Sequence, residues 1–190
     1  MIDNRNINGV LNRVTHVPLQ HLASAPDYQY ATQEYTAFFM SWLYALPAPI
    51  YNTPDALGLC GAWRHISEWV TLAAAAGLPT PDYRQTSNDQ INETIEARRL
   101  LPVGTPSINI IVVGRHVFGP TVSTGIREGC LELARLSRTQ LLGIELAFDA
   151  SLNSWAFASA TPMPDLRMGG ELFLDALATE LSAAGNGGLR

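Results

Sequence analysis

The chain contains no lysine; all 12 of its basic residues are arginine. That absence excludes Schiff-base chemistry, amine nucleophiles and lysine-based phosphate clamps. Cysteine is scarce as well. Cys60 and Cys130 stand far apart with no CxxC spacing, so a disulfide framework or zinc ribbon is excluded and buried thiols are expected. Positive charge is short overall. A net charge of −5 argues against a nucleic-acid partner held by bulk electrostatics. No apolar run reaches the ~20 residues of a membrane span, because the longest, Phe38 to Tyr51, is interrupted by Ser41, Pro47 and Pro49. The polar start MIDNRNINGV carries no apolar signal core. The expectation is a cytoplasmic protein with neither membrane nor nucleic acid as partner.

Recognisable catalytic signatures are missing too. There is no GxSxG elbow, P-loop, HExxH or EF-hand pattern. His16 and His21 are five residues apart in a loop, and His65 and His116 have no acidic or cysteine neighbours at ligand spacing.

What is present fits an ordinary globular chain. Its 190 residues, 47% of them hydrophobic, allow one domain, or one with a small appendage. Ile7 to Val17 reads as a strand followed by a polar loop. Ala31 to Leu46 reads as a core helix, with Tyr35, Phe38, Phe39, Trp42, Leu43 and Leu46 on one apolar stripe and Pro47 and Pro49 ending it. Thr53-Pro54-Asp55 looks like the start of a short helix. A further helix runs from about Ala62 through Ile66, Trp69, Val70 and Ala73 to Gly77. Glu93 to Leu101 suits another short helix.

Gly114-Arg115 links Ile108–Val113 and His116–Val122 as a hairpin. Ile126, Cys130, Leu133, Ala134 and Ser137 mark a helix. Thr139 to Asp165 then reads as strand, turn at Asn153-Ser154, strand and proline-punctuated exit. Gly169-Gly170 opens a last helix with Phe173, Leu174, Leu177 and Leu181 on its buried side. The order predicts an α/β (mixed α+β) fold, with helices packed on a mostly antiparallel C-terminal sheet.

Four passages, in this order, resemble the ATP-grasp superfamily and most closely its RimK/glutathione-synthase-like, peptide-modifying carboxylate–amine ligases. They are "LPAPIYNTP", "AWRHISEWVTLAAAAGLPTPDYRQTSN", the hairpin "INIIVVGRHVFGPTV", and the Thr139–Asp165 stretch with its exit "PMPDLRMGG". The resemblance implies a reduced ATP-grasp-like fold. It divides the chain into a pre-ATP-grasp end and helical segment (1–88), a shortened linker replacing the small lobe (89–107), the C-terminal sheet and helices (108–184), and a tail (185–190). ATP and magnesium are the implied cofactors. Arg64, Arg115, Glu145, Ser159 and Thr161 occupy cofactor-facing positions. Glu145 with Asp149 is the candidate metal pair, and Arg167, Gly169 and Gly170 the candidate substrate or partner loop.

The departures alter the expectation. Arg64 stands where the family has a nucleotide-binding lysine, and about twenty residues between Asn88 and Ile108 leave no room for the lobe that clasps ATP. Glu145 keeps a carboxylate in the "GxDL" position, but Ser159 and Thr161 replace the Glu and Asn of "ExNPxP". Magnesium takes hard oxygen ligands, usually one or two carboxylates. Losing a bridging ligand at several kcal/mol lowers a phosphoryl-transfer rate by roughly a thousandfold.

The reading is therefore a non-catalytic ATP-grasp-like protein, a pseudoenzyme without bound cofactor, serving as a binding or accessory subunit beside a biosynthetic or peptide-modifying enzyme, with a protein or small molecule as partner. An active ligase using Glu145, Asp149, Arg64 and Arg115 is the second reading. A fragment completed by a partner chain or a homodimer is the third.

Overall fold

The computed structural model describes residues 7–17, 19, 24–56, 58–61, 63–81, 104–150 and 153–186. It divides into two units, Met1–Ala62 with Ala178–Arg190, and Trp63–Leu177.

The second unit is built on four antiparallel strands in the order β4-β3-β5-β6. β3 spans Ser107–Val113, β4 His116–Phe118, β5 Leu141–Asp149 and β6 Ser154–Thr161. The β3–β4 hairpin pairs Val113 with His116 across Gly114 (φ 55°), a backbone twist suited to a tight turn between right-twisted strands. β5 and β6 meet through the Asn153 turn, where Asn153 takes φ 47°.

Two helices cover one face of this sheet, α2 (Ile66–Ala75) and α3 (Thr124–Ser137). Ser123 caps α3 by accepting from the Ile126 amide, and Arg138 closes it in the left-handed region at φ 55°. Ile126, Cys130, Leu133 and Ala134 of α3 and Trp69, Val70 and Ala73 of α2 pack with Ile110 and Val112 of β3, Leu142, Ile144 and Leu146 of β5, and Phe157 of β6. Burying each large side chain there contributes about 1.5–3 kcal/mol. On β5 the even-numbered Leu142, Ile144 and Leu146 serve this core, so Gly143, Glu145 and Ala147 face the other way.

The first unit contains β1 (Val10–Leu11) paired in parallel with β2 (Ile50–Tyr51), α1 (Ala25–Tyr44), and the final turns of α4 (Gly170–Asn186). Its polar centre is a pair of buried asparagines. Asn12 Nδ2 donates to the carbonyls of Asn52 (2.9 Å) and Leu59 (2.6 Å), and Asn52 Nδ2 donates back to the Asn12 carbonyl at 3.3 Å. Gly9 lies so close to α4 that a Cβ there would come within 2.5 Å of the Leu181 carbonyl oxygen. Tyr51 donates to Glu180 at 3.4 Å.

Several expectations change. The Ile7–Val17 strand contracts to Val10–Leu11. No helix starts at Thr53: the Asp55 amide bonds the Gly58 carbonyl, and the Gly58 amide takes the Asp55 side chain, so the acid closes a turn instead of entering a first helical turn. Leu174, expected inside, is exposed. The largest change concerns α1. It begins earlier than expected, capped by Ser24 with Pro26 in its first turn, and Leu43 is its only buried residue. The aromatic stripe read as core faces solvent at Tyr35, Phe38 and Trp42. The Glu93–Leu101 helix lies outside the described residues. Among the described residues, no helix is long and apolar enough to cross a membrane.

Candidate functional site

The sheet face opposite α2 and α3 carries a row of polar residues in direct register. Asn109 on β3 pairs with Glu145 on β5, which pairs with Ser159 on β6. Two residues along lie Ile111, Gly143 and Thr161. These residues line a cavity of about 180 Å³, together with the exit segment at Met163, Pro164, Asp165 and Met168. The exit fits because Gly143 has no side chain: a Cβ there would sit 2.8 Å from the Pro164 Cβ.

A bulge aims Ser159 at its partner. The register slips between Glu145 and Leu146, leaving Ala158 as an extra residue on β6. Such an insertion bends a strand and redirects the adjoining side chain. Ser159 Oγ donates to Glu145 Oε2 at 3.1 Å. Thr161 Oγ1 accepts from the Met163 amide at 3.1 Å, turning the chain into its exit.

Three residues named from the sequence, Glu145, Ser159 and Thr161, are therefore brought together. The others lie elsewhere. Arg64 reaches the Ser137 carbonyl at 3.4 Å and Glu68 at 3.7 Å, and rests 5.9 Å above the Trp69 ring. Arg115 is exposed in the β3–β4 turn. Asp149 pairs with Ser154 at the far end of β5, four residues and ~13 Å of strand from Glu145, too far for both to ligate one ion. Arg167 is held by Asp165, with its Nη2 2.6 Å from Oδ2, and Arg127 donates to the Val117 carbonyl. Gly169 and Gly170 form the joint between a 3-10 turn (Leu166–Gly169) and α4.

Sequence reasoning missed Asn109, Met163, Asp165 and Met168 as cavity residues. Asn109 had a signal: it is the polar break in the apolar run SINIIVV.

The donor set of the described residues does not fit magnesium-bound ATP. Among the described residues, two carboxylates line the cavity: Glu145 accepts the Ser159 hydroxyl, and Asp165 is engaged by Arg167 through both oxygens. No arginine or histidine among the described residues lines it. Among the described residues, no group of three His, Cys, Asp or Glu is arranged to hold a metal. Its volume also falls below the ~300–1,000 Å³ of common ligand pockets.

No protein-family model matches the sequence, and no curated protein matches it either. Solved structures do. The macrocyclase MdnC from Microcystis aeruginosa MRC, bound with precursor peptide MdnA, superposes over 97% of this chain and 80% of that one, at 13% identity and a TM-score of 0.67. The fold is ATP-grasp-like. The ATP-grasp ligase PsnB, complexed with precursor peptide PsnA2 and AMPPNP, gives a TM-score of 0.55 at 13% identity, covering 82% of this chain and 70% of that one. A RiPP-associated ATP-grasp ligase from Chryseobacterium gregarium, in complex with ADP and a leader and core peptide, gives 0.51 at 14% identity, covering 85% and 68%. The mixed α+β architecture with an antiparallel sheet is shared with these ligases.

Proposed function

We propose that this protein is an ATP-grasp-like binding or accessory subunit of a peptide-modifying biosynthetic system in the cytoplasm, with a protein or peptide as its partner and no ligase chemistry of its own. The observation that carries the reading is the Glu145–Ser159 pair: where a ligase needs a second carboxylate, a neutral hydroxyl donates to the first. A hydroxyl supplies neither the charge nor the bridging geometry that draws magnesium onto triphosphate oxygens. The polypeptide partner is supported by solved neighbours that carry a precursor peptide or a leader and core peptide.

The test is ADP release from magnesium ATP, with and without a peptide bearing both carboxylate and amine side chains. The reading expects background rates, identical in the wild type and in Glu145→Gln. Turnover that Glu145→Gln abolishes would establish an active ligase instead.

A further inference from the structure

We propose that α1 is a self-association helix, through which two copies of this chain pair antiparallel along a seam of Tyr28, Ala31, Tyr35, Phe38 and Trp42. These residues recur at intervals of three and four, the spacing that keeps one stripe of a helix against another helix. The seam is open: Tyr28 is 49% exposed, Tyr35 54%, Phe38 68% and Trp42 42%. A 20-residue helix with only Leu43 buried is poorly supported by its own chain, since helices of this kind gain most of their stability from packing an apolar face.

The seam itself identifies the occupant. Reversed about Tyr35, it is complementary to itself: Tyr28 meets the other copy's Trp42, small Ala31 meets bulky Phe38, and Tyr35 meets Tyr35. The flanking row repeats the match, with Thr32 against Phe39. On the other flank Asp27 meets Ser41, while the two Glu34 carboxylates approach each other, and α1 has no cation to offset them. Four aromatics at about half exposure contribute roughly 400 Å² per copy. With the flanking rows, that places the pair at the lower end of specific interfaces, near ~1,200 Å² in total. The dimer is accordingly weak, and salt strengthens it by screening Glu34. This inference stands apart from the functional reading; either can fail alone.

Sedimentation velocity on the full chain, over about 1–100 µM, tests it. The expected result is a monomer–dimer equilibrium that shifts toward dimer as salt rises. Phe38→Glu weakens it at least tenfold while the far-ultraviolet dichroism, and hence the fold, stays unchanged. Under mild oxidation Tyr35→Cys crosslinks the dimer across its two-fold axis, and Tyr28→Cys does not. A monomer throughout this range, association unaffected by Phe38→Glu, or equal crosslinking by both cysteine variants would overturn the proposal.

Discussion

Ser159 donates its hydroxyl hydrogen to Glu145 across the β5–β6 pair at 3.1 Å, beside the bulge that turns it there. The bond joins two strands and gives a partly buried carboxylate a neutral partner. Replacing Ser159 with Glu sets two carboxylates against each other, and like charges at such range oppose folding. Ser159→Glu is expected to lose roughly 1–3 kcal/mol in thermal unfolding at neutral pH. Millimolar manganese should restore much of the loss while leaving the wild type unmoved. A variant indifferent to metal would show that the cavity no longer has the shape of a cation site.

Gly143 permits the exit segment to lie on the sheet. Gly143→Ala places a methyl 2.8 Å from the Pro164 Cβ and 3.2 Å from the Thr161 Cγ2. Relief requires lifting the exit loop, at a cost of about 1–3 kcal/mol. Denaturant unfolding measures it, and an unchanged midpoint would mean that the loop gives way freely.

Asn12 supplies one amide to two carbonyls of the first unit. Asn12→Ala leaves both without that donor, for an expected loss of about 2–4 kcal/mol. Asn12→Asp should fare no better, because its carboxylate keeps the shape, loses both donor hydrogens and adds a charge at a buried site. Chemical denaturation of both variants decides this.

Cys130 lies on the buried face of α3, and burial pushes its thiol up to about 12 from a usual 9.0. From about pH 9 upward the unfolded chain releases this proton while the folded chain keeps it. The unfolded state then binds fewer protons, so stability falls as pH rises toward 12. Tyr51 acts in the same direction, raised to about 12 by burial, then by the charge of Glu180 and its hydrogen bond. Melting temperatures between about pH 8 and pH 10.5 should decline less steeply for Cys130→Ala than for the wild type. Parallel slopes would show that the thiol carries none of this dependence.

The second unit was the more legible from sequence, for a physical reason. Its helices α2 and α3 each follow one period and bury one face. Ile126, Cys130, Leu133, Ala134 and Ser137 all lie inside as their spacing requires, and the Gly114-Arg115 turn falls where expected. Of Asn153-Ser154, only Asn153 is in the turn, and Ser154 already opens β6 opposite Asp149. Periodicity failed in α1 because an apolar stripe shows that a helix wants a partner, not that its own chain supplies one. At Thr53-Pro54-Asp55 the residues that start a helix also suit a turn, and the Asp55–Gly58 pairing decided between them. In the cavity, Glu145, Ser159 and Thr161 could be named from the family's pattern, since strand register fixes their neighbourhood. Arg64 could not be placed, because whether a guanidinium faces a ligand or packs over Trp69 depends on tertiary contacts.

Binding of magnesium ATP tests the central claim most directly. Anything that binds only the folded state raises its melting temperature by mass action, whether or not chemistry follows. Thermal unfolding in millimolar magnesium ATP should match that in magnesium alone. A rise of several degrees that grows with nucleotide concentration and disappears in Glu145→Gln would contradict the account and return the cavity to the ligases.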